Sequence, residues 1–240
     1  VIFSAHGVPK FVPEEAKKRQ MLFIDATCPL VTKVHNEIRR YYDKGYKIIM
    51  IGHRGHPETI GTMGQLPEGE VLLVENKEDV EKIKPLKYKK LAYVTQTTLS
   101  VDDTKDIALA LNKKFPSIEN PKKEDICYAT TNRQEEVKRL VKFVDLMLVV
   151  GSENSSNSQR LVDVAKDGGC SDAYLIEDYK RIDWGKVALA NSIGITSGAS
   201  APDHLVKEVI FSIQEKFDTS LVYDTKKKET IEFKVPPVLR

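Results

Sequence analysis

Two cysteines carry the first chemical signal. Cys28 closes the run Asp25-Ala-Thr-Cys28 and Cys127 closes Asp125-Ile-Cys127, at an offset of 127 − 28 = 99 residues. Each is followed by a charged stretch of helical composition, Pro29 to Arg40 and Tyr128 to Phe143. An isolated cysteine is most often a small buried apolar residue. Two at the same point of a repeat, each at a predicted strand–helix junction, predict thiolates converging near a common axis. The third copy is then expected upstream of Val1. Three thiolates suit an iron–sulfur cluster with one iron left open, or a zinc site. Cys170, in Asp167-Gly-Gly-Cys170, has no counterpart in the repeat and is expected to be structural or exposed.

The second signal is a set of imidazoles and small polar loops. Ser155-Ser156-Asn157 offers hydroxyls, an amide and backbone N–H groups at a predicted helix start, which together make an anion cradle. His6 and His56 add donors. Each serine taken alone reads as a helix cap, but several such loops together predict phosphate recognition without a basic patch. Glu58 follows His56 by two residues at a predicted strand end. A carboxyl group there can deliver protons to a ligand; the other reading is a solvated loop glutamate. His35 and His204 fall in helical patterns and read as structural, and His53 is a weaker candidate. The chain contains neither G-x-x-x-x-G-K-[ST] nor a strand-linked G-x-G-x-x-G, so nucleotide binding by those routes is not supported.

The elements that must position these groups repeat with them. An apolar strand ends in glycine at Tyr46 to Gly52 and again at Val144 to Gly151, with 151 − 52 = 99. A polar loop follows each, then a helix and a short apolar strand, Val71 to Glu75 and Ala173 to Glu177. Both copies close with a strand, a Ser/Thr-rich loop (Thr95 to Ser100, Thr196 to Ser200) and a helix. The closing unit occurs once more at the start, where Val1 to Gly7 leads into Pro13 to Arg19. Alternating strands and helices predict parallel α/β units, whose ligands bind at the carboxyl ends of the strands. The expected fold is therefore α/β, a pseudo-threefold arrangement of parallel-sheet domains around one central site. The expected division is residues 1–28 as the remainder of a first domain, 29–124 as a second, 125–219 as a third, and 220–240 as a tail with one strand, Thr230 to Val235. A period of 99 less the 28 residues of the first piece leaves about 70 residues expected before Val1.

Composition narrows the partners. The 240 residues carry 37 Lys+Arg against 35 Asp+Glu, a net charge of +2, which gives no support for nucleic-acid binding. No apolar run is longer than the five residues of Leu146 to Val150, far short of the roughly 18 residues of a membrane span, so no membrane partner is expected. Three scattered cysteines and no visible export signal point to a reducing compartment.

The loops together resemble one family, the 4-hydroxy-3-methylbut-2-enyl diphosphate reductases of the non-mevalonate isoprenoid pathway. The segments that carry the resemblance are Ser4-Ala-His6-Gly, Asp25-Ala-Thr-Cys28-Pro, Gly55-His56-Pro-Glu58, Thr95-Gln-Thr97-Thr-Leu-Ser, Ile126-Cys127-Tyr-Ala-Thr, Asn154-Ser155-Ser156-Asn157-Ser and Gly198-Ala-Ser200-Ala-Pro. The resemblance implies three α/β domains around a [4Fe-4S] cluster held by three cysteines, two of them Cys28 and Cys127. It implies a diphosphate-binding set of His6, His56, Ser155, Ser156, Asn157 and Ser200. It implies Glu58 as the proton relay, with Thr97 as its hydrogen-bonding neighbour. The implied reaction is a reductive dehydroxylation by two electrons and two protons, giving isopentenyl and dimethylallyl diphosphate. The cluster would serve as Lewis acid and electron conduit. Electrons would come from a donor such as ferredoxin or flavodoxin, in the cytoplasm, or inside a plastid if a missing front carries a transit peptide. The family's first cysteine and a further diphosphate-binding histidine belong to that front, and Cys170 matches no ligand position. Two other readings remain: a non-catalytic diphosphate-binding fragment, and a zinc protein using Cys28, Cys127 and a histidine.

Overall fold

The runs Lys47–Ile51 and Leu146–Val150 are short, apolar and rich in β-branched and aliphatic residues, a pattern suited to strands covered on both faces. A computed structural model describes residues 1–84, 90–223, 230–235 and 239. In it both runs are the central strands of parallel sheets. The chain divides into two compact units, one formed by Val1–Cys127 with Ile231–Arg240, the other by Tyr128–Thr230.

In the first unit, β1 (Ile2–Phe3) pairs in parallel with β2 (Ile24–Asp25), with α1 (Phe11–Lys18) between them in sequence. There follow α2 (Pro29–Asp43), β3 (Lys47–Ile51), α3 (Pro57–Met63), β4 (Val71–Val74), α4 (Lys77–Lys82), β5 (Leu91–Thr95) and α5 (Val101–Lys114). The sheet order is β4-β3-β5, all parallel, with Ile49 opposite both Leu72 and Tyr93. Side chains alternate across a strand. Ile48 and Met50 therefore pack with Val34, Ile38 and Tyr41 of α2. Ile49 and Ile51 pack on the other face with Ile107 and Leu111 of α5. Each fully buried isoleucine or leucine contributes roughly 1.5–3 kcal/mol of apolar transfer.

The second unit repeats this plan with α6 (Tyr128–Leu140), β6 (Leu146–Val150), α7 (Ser156–Asp167), β7 (Asp172–Ile176), a single 3-10 turn (Tyr179–Arg181), α8 (Trp184–Leu189), β8 (Ile193–Ser197) and α9 (Asp203–Lys216). Its sheet order is β7-β6-β8, all parallel. Strands β3 and β6 begin 146 − 47 = 99 residues apart, and β5 and β8 begin 193 − 91 = 102 apart. Met147 and Val149 face Val137 of α6 and Leu161 and Val164 of α7. Leu146, Leu148 and Val150 face Val187, Val209 and Ile213. The α/β class with parallel sheets is thus the observed one. Among the described residues no helix is long and apolar enough to cross a membrane.

Two features differ in detail from the sequence reading. The segment 230–235, expected to contain a strand, carries none and is exposed. Its Lys and Glu leave too short an apolar run to pay for ordering an extra edge strand. Asp125–Cys127 stays with the first unit, because Thr95 N donates to Asp125 Oδ2 at 3.0 Å and Cys127 N to the Thr97 carbonyl at 3.0 Å.

In the second unit the close approach of strand ends to α7 depends on absent side chains. A Cβ on Gly198 would stand 2.0 Å from Ser158 Oγ, and one on Gly151 2.3 Å from the same atom. That hydroxyl is buried and donates to Ser155 Oγ at 2.9 Å, so it cannot move without losing its bond. Gly198→Ala should lower the unfolding free energy by about 1–3 kcal/mol through overpacking. Denaturant titration in wild-type and Ser158→Ala backgrounds checks this, since the cost should shrink markedly where the hydroxyl is gone.

Candidate active site at the strand ends of the first unit

Strands β3 and β5 end side by side, with Ile51 opposite Thr95, and the loops beyond them carry the polar groups. The loop after β3 is held by Gln96, which is fully buried. Its Oε1 accepts from His53 N at 3.0 Å and from Thr59 Oγ1 at 3.2 Å, while Nε2 donates to Thr98 Oγ1 at 2.9 Å. This sets the start of α3. His56 is the N-cap, and its Nδ1 accepts from Glu58 N at 3.2 Å. An accepting Nδ1 leaves the ring proton on Nε2 in the neutral imidazole. Burial, with His6 and His53 nearby, lowers the His56 pKa to about 4, so the ring is neutral at pH 7. His6 lies edge-on to it, ring centroids 5.5 Å apart, on the exposed turn after β1.

Glu58 is buried, and both of its oxygens are used. Thr97 N donates to Oε1 at 2.6 Å and Thr97 Oγ1 donates to Oε2 at 2.9 Å. Burial raises the carboxyl to about 7 against the two Thr97 bonds, with Asp125 adding to the rise. The result is an acid poised near neutrality, the range in which proton transfer at ambient pH is most effective.

Cys28 is a half-buried free thiol at the N-cap of α2, with no side-chain capping bond. Its N–H donates to the Ala5 carbonyl at 3.0 Å, which ties it to the turn that carries His6. Cys127 is half-buried and stands immediately before α6. Half-buried at the start of α2 and without a capping bond, the Cys28 sulfur is placed to meet a metal. Among the described residues no three His, Cys, Asp or Glu side chains gather as a metal site. Cys170 is buried in the core of the second unit, where burial raises its thiol, and it is structural.

In the second unit, Ser155 is the N-cap of α7 and accepts from Ser158 N at 3.3 Å. Ser156 opens the helix; Asn157 is buried, and neither amide atom has a hydrogen-bond partner. Ser200 is exposed in the turn after β8. His6, His56, Glu58, Thr97, Cys28 and Cys127 are thus in the first unit, and Ser155, Ser156, Asn157 and Ser200 in the second. His35 is buried on α2, where burial and Arg39 lower its pKa to about 4; it is structural, as its helical pattern suggested. Sequence reasoning missed Gln96 and Asp125. Both had a signal: Gln96 sits in the Thr/Ser loop, and Asp125 stands two residues before Cys127.

Parallel α/β units with a tunable acid, the neutral imidazole of His56 and thiols at the strand ends define an α/β enzyme. The comparisons with known proteins make the family definite. The chain belongs to the LytB protein family, whose model matches residues 1–214. It is 58% identical over 240 residues to a 4-hydroxy-3-methylbut-2-enyl diphosphate reductase of Ruegeria sp. (strain TM1040), covering 100% of this chain and 76% of that one. It is 59% identical over 240 residues to the reductase of the same name from Ruegeria pomeroyi, with the same two coverages. The solved structure of the E-1-hydroxy-2-methyl-but-2-enyl-4-diphosphate reductase from Plasmodium falciparum superimposes with a TM-score of 0.94 at 39% identity, covering 99% of this chain and 75% of that one.

The Glu58 carboxyl has a measurable consequence. Its folded pKa of about 7 lies above the ordinary 4.5, so the folded state holds the proton more tightly. This contribution to stability is full below pH 4.5 and is lost as pH rises through about 7. Infrared difference spectra should show a protonated carboxyl band that disappears near pH 7 in the wild type and is absent from Glu58→Gln. A wild-type band already lost by pH 5 would contradict the burial argument.

Proposed function

We propose that the chain reduces 4-hydroxy-3-methylbut-2-enyl diphosphate to isopentenyl and dimethylallyl diphosphate. The allylic C–O bond breaks, two electrons and two protons are taken up, and the hydroxyl leaves as water. Family membership supports this reading, and one observation in the chain carries it: a buried carboxyl, Glu58, with a pKa near neutral and both oxygens on Thr97.

A hydroxyl is a poor leaving group until it is protonated, and Glu58 is the proton source on this reading. Thr97 holds the carboxyl in one orientation. Its hydroxyl can turn to accept from a protonated Glu58 or to donate to the carboxylate, so the contact survives the transfer. His6 and His56 bind the diphosphate, with His56 offering Nε2–H. Ser155, Ser156, Asn157 and Ser200 complete that set; the unmet amide of Asn157 supplies a donor that a phosphate oxygen would satisfy.

Cys28 and Cys127 are two thiolate ligands of a [4Fe-4S] cluster on this reading, and the half-buried thiol at the N-cap of α2 fits that role. When bound, such a cluster supplies electrons and Lewis acidity at the reacting oxygen. An electron carrier such as ferredoxin or flavodoxin is the donor on this reading, and the cytoplasm is the setting. A diphosphate-binding domain without chemistry leaves the tuned Glu58 carboxyl without a role.

Glu58→Gln keeps the size and hydrogen-bonding span of the side chain and removes the transferable proton. In the cluster-loaded protein with a chemical reductant, turnover should fall by about a hundredfold or more, with KM within a factor of a few. Unchanged turnover would remove Glu58 from the proton pathway.

A further inference from the structure

The loop that delivers Cys127 is strung along one polar stripe of the helix that starts at Cys28. The stripe is Lys33, Glu37 and Tyr41, at a spacing of four, so the three side chains share one face of α2. Tyr41 OH donates to the Asn120 carbonyl at 3.1 Å, and Glu37 Oε1 accepts from Lys122 N at 3.5 Å. Lys33 Nζ donates to the Lys123 carbonyl at 2.9 Å, the Glu124 carbonyl at 3.0 Å and Asp125 Oδ1 at 2.9 Å. The loop therefore runs antiparallel to α2, from the C-terminal end of the helix back toward Cys28. Its other edge is fastened to β5: Tyr93 N donates to the Glu119 carbonyl, Thr95 N to Asp125 and Cys127 N to the Thr97 carbonyl.

We infer that Lys33 is a positioning residue that sets the separation of the two thiols, a step that rests on reading Cys28 and Cys127 as cluster ligands. All three ammonium protons are spent on the loop, two residues before Cys127, and the lysine itself lies five residues after Cys28. The Asp125 side chain is wholly buried while Lys33 stays 31% exposed, so removing the lysine would leave a buried carboxylate without its cation. A neutral side chain of equal length cannot replace it, because the two carbonyls and the carboxylate all need a donor. Groups that orient metal ligands in this way matter to metal affinity nearly as much as the ligands do.

The test uses the full chain in a Cys170→Ala background, so that the two remaining thiols carry the probes. Spin labels on Cys28 and Cys127 in the metal-free protein report their separation by dipolar EPR. The background should give one narrow distance distribution. Lys33→Met should broaden it while far-UV circular dichroism is unchanged, and Lys33→Arg, which keeps a cationic donor, should largely restore it. Asp125→Asn should broaden it too and decides the matter if Lys33→Met does not fold. In the unlabelled protein reconstituted anaerobically with iron and sulfide, Lys33→Met should lose iron to a chelator about tenfold faster than wild type. Distance distributions unchanged in both variants would overturn the inference. Broadened distributions with iron lost at the wild-type rate would uphold Lys33 and overturn the reading of the two cysteines as cluster ligands instead.

Discussion

The candidate site depends on Thr97 more than on any other residue. Its N–H and hydroxyl hold the two oxygens of Glu58, and its carbonyl holds the N–H of Cys127. One residue at the end of an edge strand thus joins the acid, which sits on α3, to a thiol that arrives through a long loop. The same three contacts satisfy a buried carboxyl and three backbone groups that would otherwise be costly orphans. The acid is tuned by this balance. Burial alone would drive the Glu58 proton affinity higher, and the two donors from Thr97 pull it back to about 7.

The twofold repetition explains where such a residue can stand. Both units place a central apolar strand between helices and end it in a glycine, Gly52 or Gly151, so that the next helix can start close by. The copies then part company. In the first, the position after β5 is Gln96, whose long side chain ties the loop after β3 to the start of α3. At the matching offset of 198 − 96 = 102, the second unit has Gly198, and Ser158 fills the space instead. One scaffold thus yields a stiff, polar-filled pocket for an acid in one copy. In the other it yields a helix start with hydroxyls and an unmet amide.

Much of this was readable in the chain because it is local. The strands Lys47–Ile51 and Leu146–Val150 announce themselves by apolar runs that end in glycine, and the cysteine offset of 99 survives into the strand starts at the same 99. The motif segments identify the family from sequence, since each carries several chemically committed residues in a short span. The segment 230–235 went the other way: its alternation of apolar and polar residues resembles a strand, but it carries none and is exposed. Pairing is a property of the partner and cannot be read from the segment.

The sequence by itself determined the class of fold, the family, the residue types at each strand end and the structural status of His35 in its helical pattern. Only the tertiary structure decided what those residues experience. The burial that makes Glu58 an acid near pH 7 comes from elements about forty residues apart, through a contact whose separation is 39 residues. The bond from Lys33 to Asp125 spans 92 residues, and nothing in the sequence around Lys33 marks it as the lysine that will meet a buried carboxylate. Desolvation and long-range hydrogen bonding depend on which surfaces meet, and surfaces meet only once the sheet and its helices have packed.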